Sequence, residues 1–153
     1  MGKFLTSVTK LFIIAGLLIC STVNLKADEC SGAVDRFCKT FELMKKEVNR
    51  MNSFEDYESI DLDAVIEQAG LGDVWDTCLD YELTNRDRVR LKLAANGFVD
   101  AISNKMYSFF EGTVPMEAVK AEFRPMKELI EEIVDGSETL GDFVGYIAEA
   151  FYE

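Results

Sequence analysis

The chain has 153 residues, 28 acidic and 16 basic, for a net charge of −12, and it contains no histidine. This length bounds one domain with its own core, and an aromatic content of 11% sets it apart from disordered chains. The acidic balance speaks against nucleic acid, whose binders need a basic footprint to displace counterions. The missing histidine removes Ser-His-Asp and Cys-His nucleophiles and histidine metal sites.

The first residues carry Lys3 and Lys10, an apolar run from Leu11 to Cys20, and a polar stretch ending Leu25-Lys26-Ala27. A basic start, an apolar centre of roughly ten residues and a small closing residue form a secretory signal peptide, with cleavage expected after Ala27. Even extended to Val23, the run is shorter than the about twenty apolar residues that cross hydrocarbon. No membrane span is therefore expected after cleavage. Leu17-Leu18-Ile19-Cys20 resembles a lipoprotein lipobox, but the bulky Ile19 stands where that pattern has a small residue, which makes lipid anchoring at Cys20 the minor alternative. Cleavage leaves 126 of the 153 residues, 28–153, as one acidic helical domain, secreted or periplasmic. All 28 acids and 13 of the 16 bases lie in it, so its charge becomes −15.

Helix A is predicted from about Ser31 to Asn52 by the stripe Val34, Phe37, Cys38, Phe41, Met44, Val48 and Met51. An acidic loop from Ser53 to Glu58 follows. Helix B starts near Asp61, carries Leu62, Val65, Ile66 and Ala69, and ends at Gly70 as a C′ glycine. Asp73 caps a short helix C with Val74, Trp75, Cys78 and Leu79. Thr84-Asn85-Arg86-Asp87 resembles a capping box and opens the long helix D, which reaches about Glu111 and is stopped by Gly112. Pro115 suits the first turn of helix E, and Pro125 is expected to end it by pushing Arg124 out of the α region. Helix F runs from about Met126 to Asp135 and is closed by Gly136. A second box, Thr139 to Asp142, starts helix G, with Leu140, Phe143, Val144, Ile147, Ala148 and Phe151. No window alternates with period two, so the fold class is all-α, an irregular bundle of about five to seven amphipathic helices with antiparallel neighbours.

Three cysteines follow Ala27: Cys30, Cys38 and Cys78. In an oxidising compartment two of them are expected to pair. On a helix Cys30 and Cys38 would stand about 12 Å apart, whereas a disulfide wants its Cα atoms within about 7 Å. Cys38–Cys78 and Cys30–Cys78 remain. The first is favoured, because both residues sit on predicted apolar helix faces.

Candidate chemistry is sparse. Arg86, Arg88, Arg90 and Lys92 form the dense basic cluster, at a helix start where the macrodipole disfavours cations. They either pair within the fold, with Asp73, Asp76, Asp80, Glu82 or Asp87, or offer a contact patch to an acidic partner. Asp76 and Asp80 have the helical spacing of a carboxylate pair, which a solvated face also explains. Five acids crowd residues 55–63, but Asp61-Leu62-Asp63 continues into Ala64-Val65-Ile66, which no EF-hand does. No metal site and no cofactor are expected. Gly141 and Gly145 share one face of helix G, where they let a backbone approach closely. Helix A or D is the expected neighbour, and a docked partner helix is the other reading. The aromatics Tyr146 and Tyr152 flank that surface.

The layout is similar to that of small, uncharacterised exported helical proteins of Bacteroidota: a signal peptide, a helical body, and a turn such as Thr139-Leu140-Gly141-Asp142-Phe143 into a last amphipathic helix. The likeness covers about the last seventy residues, from Leu83 on. It implies a periplasmic or extracellular location and no activity. The sequence thus points to an exported, non-catalytic helical module that binds a protein or envelope partner. An acidic inhibitor or immunity-type protein that meets a basic enzyme is the concrete version. A small-ligand or cation-binding carrier is the alternative.

Overall fold

A computed structural model of the chain describes Cys30, residues 32–72, Val74, residues 77–110 and residues 112–151. The expected signal peptide, its expected cleavage site and Cys20 lie outside the described residues, as do Ser31, Asp73, Trp75, Asp76 and Tyr152. The elements are α1 (Ala33–Arg50), a 310 helix (Phe54–Ser59), α2 (Leu62–Ala69), α3 (Asn85–Phe109), α4 (Met116–Gly136) and α5 (Leu140–Phe151). The class is all-α. Among the described residues the one β-type feature is an isolated antiparallel bridge between Glu82 and Thr139.

Three of the expected helix starts carry the expected chemistry. Thr84 Oγ1 accepts from the Asp87 N–H at 3.1 Å, and Asp87 Oδ2 accepts from the Thr84 N–H at 3.0 Å. Thr139 and Asp142 repeat that box at 3.1 and 3.0 Å. Asp61 caps α2 through the Ala64 N–H. Such caps each contribute about 1 kcal/mol. Gly70 ends α2 with φ 67°, and the next N–H, of Leu71, reaches back to the Ile66 carbonyl. A residue with a Cβ would be strained there. The predicted acidic loop is instead mostly a 310 turn, closed by Asp56, which accepts from the N–H groups of Asn52 and Ser53.

Two expected breaks fall differently. Helices E and F are one helix, α4, with Pro125 inside it. Proline removes the bond to the carbonyl four residues back and costs roughly 3 kcal/mol in a helix interior. Pro125 and Ala121 are both exposed, so the ring and the freed carbonyl meet solvent. Phe123, Met126 and Ile130 bury on either side of it, and each contributes about 1.5–3 kcal/mol. Packing therefore outweighs the local preference. Helix C does not form among the described residues. Val74 and residues 77–80 lie in turns, with one helical bond from the Cys78 N–H to the Val74 carbonyl.

α3 lies at the centre, packed on α1 and α4; α2 covers α1, and α5 packs on α4. Leu91, Phe98, Ile102 and Met106 of α3, Phe123 and Ile130 of α4, Val34 of α1 and Leu140 of α5 are fully buried. Lys92 pairs with Asp135 and Lys127 with Asp100, which makes α3 and α4 antiparallel, as expected for helices joined by a short turn. α1 runs parallel to α3: Arg90 pairs with Asp35, and Lys105 Nζ donates to the Asn49 carbonyl. At the other end of the α3 stripe Phe54 packs against Phe109 and Phe110.

The disulfide joins Cys30 to Cys78, with Cα atoms 5.3 Å apart, and Cys38 is a free thiol. The favoured Cys38–Cys78 pair is thereby corrected. Cys38 lies on the flank of α1 that faces α3, where Asp35, Asp87 and Arg90 are its electrostatic neighbours. The 77–80 segment instead passes the start of α1, where Cys30 lies. Residence on an apolar face did not distinguish the two flanks.

Candidate binding surfaces

The 79–83 segment and the α4–α5 turn are joined by backbone. The Leu83 N–H donates to the Glu138 carbonyl, the Leu140 N–H to that of Tyr81 and the Gly141 N–H to that of Leu79, all at 2.8–2.9 Å. Gly141 makes this approach sterically feasible, since a Cβ there would stand 3.0 Å from the Leu79 oxygen. The close neighbour of Gly141 is thus this turn and not helix A or D. Gly145 is a second correction: beyond its chain neighbours and its own helix backbone, no described atom lies within 4 Å of a Cβ placed on it. One turn along α5 the chain has already left the 77–80 segment, so the glycine pair does not act as one packing face.

Three of the four basic residues are engaged within the fold. Arg88 donates from Nη2 and Nε to the Ser137 carbonyl, at 2.8 and 3.2 Å, and from Nη1 to the Leu83 carbonyl at 3.0 Å. Arg90 pairs with Asp35, and Lys92 with Asp135. These partners stand on α1, on α4 and on backbone, outside the acids expected from neighbouring positions. Arg86 is exposed, on the outer face of α3 with Val89 and Leu93. The cluster offsets its position at the helix start by binding carbonyls and carboxylates from other elements.

Asp87 is 8% exposed and accepts from the Tyr81 hydroxyl at 3.1 Å as well as from Thr84. Burial, then this hydrogen bond, raises the Tyr81 hydroxyl above its ordinary pKa. Burial likewise pushes the Cys38 thiol up to about 11. No group of three or more acids, cysteines or histidines converges as a metal site among the described residues. In the acidic 55–63 stretch, Asp56 and Asp61 act as caps.

Two grooves were not anticipated as sites. One, of about 420 Å³, lies between α4 and α5. It is shallow and is lined by Leu129, Ile133 and Ala150, by the exposed Glu132 and Glu149, and by Tyr146, 42% exposed. Gly136 also lines it. The second, of about 640 Å³, lies between α3 and α4 and is polar. Neither depends on a motif. The available signal was spacing: Leu129, Glu132, Ile133 and Gly136 recur at helical intervals, as do Lys120, Arg124 and Lys127. Which intervals face a groove depends on how the helices cross.

No protein-family model matches the chain, and no curated protein or solved structure is significantly similar to it. Among the described residues no helix is long and apolar enough to cross a membrane.

Proposed function

We propose that the protein is an exported, non-catalytic helical module that captures a basic protein partner outside the cytoplasm. The α4–α5 groove carries the reading. Apolar lining residues beside exposed glutamates suit an amphipathic partner segment with basic flanks. Tyr146 supplies an aromatic anchor of the kind that dominates interface energies. The chain charge of −12 steers a basic partner toward this surface and makes the association sensitive to salt. An acidic inhibitor or immunity-type role is the specific form of this activity. The Cys30–Cys78 disulfide fits an oxidising compartment.

The test is capture of basic proteins from a periplasmic or culture extract on immobilised protein at low and high salt. The wild type retains a basic protein at low salt and releases it at high salt. A variant carrying Tyr146→Ala and Glu132→Lys retains at least tenfold less. Equal retention by the variant, or nothing retained at low salt, overturns the proposal.

A further inference from the structure

The polar groove between α3 and α4 carries both signs of charge in order along one helix. Along α4 it presents Lys120 and Arg124, then Lys127, then Glu128 and Glu131. Lys127 is neutralised by Asp100 of α3, at 2.9 Å. What remains is a cationic end and an anionic end on one helix stripe, balanced in charge within a chain of net −12. Neither Lys120 nor Arg124 has an ion-pair partner among the described residues. With 28 acids in the chain, two cations left unpaired on one groove wall form a ready anion site.

A second feature of the groove points to the same end. Ser103 is only 4% exposed, yet it lines the groove, and its hydroxyl has no hydrogen-bond partner among the described residues. That hydroxyl is open to the groove rather than sealed in the core: among the described residues the buried side-chain polar atom left without a partner is Asn96 Oδ1. Thr40 and Ser137, also buried on helices or at their ends, both bond the carbonyl four residues back. Ser103 instead opens onto the groove floor beside Phe123, with Asn104 next to it.

We infer that this groove binds a short zwitterionic peptide, its carboxylate on Lys120, Arg124 and Ser103 and its ammonium on Glu128 and Glu131. At 1.5 Å per helical residue, the oppositely charged residues are set apart along the axis by about 6 Å from Arg124 to Glu128 and about 16 Å from Lys120 to Glu131. A free amino acid, with its two charges on one carbon, reaches at most from Arg124 to Glu128 and does not extend from Lys120 to Glu131. Three or four extended residues span about 10–14 Å and match. Arg124 contributes the planar fork suited to a carboxylate.

Trialanine and N-acetyl-trialanine amide, titrated separately into 15N-labelled protein, provide the test. Trialanine produces saturable amide shifts at Ser103, Asn104 and Arg124. The blocked peptide binds at least tenfold more weakly, as does trialanine to Arg124→Glu, an exposed position whose spectrum otherwise stays dispersed. No saturable shift with trialanine, or equal affinity for the blocked peptide or by the variant, overturns the assignment. The titration involves no protein partner, so its outcome is independent of the α4–α5 groove.

Discussion

Arg88 holds the carbonyl of Ser137, 49 residues further along the chain, through two guanidinium nitrogens. Ser137 is wholly buried at the turn between α4 and α5. The same guanidinium takes the Leu83 carbonyl, so one side chain joins the entry to α3 to the exit from α4. Hydrogen bonds that involve a charged group contribute roughly 1.5–3 kcal/mol, and removing the donor leaves buried acceptors unpaired. Arg88→Ala is expected to destabilise by about 2–3 kcal/mol, read as a lower urea midpoint. Arg86→Ala, on the exposed face, should stay within about 0.5 kcal/mol of wild type. Similar losses from both would refute the assigned role.

The cysteines make a separate prediction. Peptide mapping without reduction should link Cys30 to Cys78 and recover Cys38 as a single thiol. The bridge spans a sequence separation of 48, for which the chain-entropy account gives about 4 kcal/mol, so Cys30→Ser should lower stability by about that amount. Because burial raises the Cys38 pKa to about 11, its thiolate fraction at pH 8 is about a hundredfold below that of an ordinary thiol. Its higher-pKa thiolate is somewhat more nucleophilic, so alkylation of the folded protein should be slower by about tenfold or more. Fast labelling at Cys38, or a Cys38–Cys78 peptide, would contradict the structure.

What the sequence made legible follows from how local each cause is. The boxes at Thr84–Asp87 and Thr139–Asp142, the αL glycine at Gly70 and the α3 stripe from Leu91 to Met106 depend on residues within one or two turns, and they stand where the pattern put them. Pro125 misled because its local effect was read without the burial of Phe123 and Ile130 on either side. The disulfide depended on which flank of α1 meets the 77–80 turn, a tertiary fact. Arg88 and Arg90 were read with their sequence neighbours, whereas their partners come from Ser137 and Asp35. The two grooves arise from the spacing between α3, α4 and α5, and no single helix encodes that spacing.

Gly141 and Gly145 should respond oppositely to the same substitution. Alanine is better than glycine in a helix interior by about 1 kcal/mol. At Gly145, beyond its chain neighbours and its own helix backbone, no described atom lies within 4 Å of the added carbon, so Gly145→Ala should stabilise by about 0.5–1 kcal/mol. At Gly141 the carbon meets the Leu79 oxygen at 3.0 Å. That oxygen is held in place by the Gly141 N–H itself, at 2.8 Å, so it yields only by lengthening the bond. Overpacking of this kind costs about 1–3 kcal/mol, and Gly141→Ala should be destabilising. Thermal melts that shift in the same direction for both would rule out the close approach of α5 to the 79–83 segment.

The cap of α5 makes stability depend on acid. Asp142 accepts from the N–H of Thr139 and then of Glu138, and these bonds hold its carboxyl below the ordinary carboxylate range. A depressed folded-state pKa contributes stability that is complete above the unfolded value, about 4, and that is lost as pH falls through the folded value. Asp142→Asn keeps an accepting oxygen in the box but removes the titration. At neutral pH the variant should therefore be the less stable protein, because the amide oxygen is the weaker acceptor for two N–H groups. As the pH falls below about 4 the wild type loses this contribution and the variant does not, so their urea midpoints should converge on acidification. Midpoints that stay parallel from pH 6 to the acid limit would show that the charge on Asp142 is not what closes the start of α5.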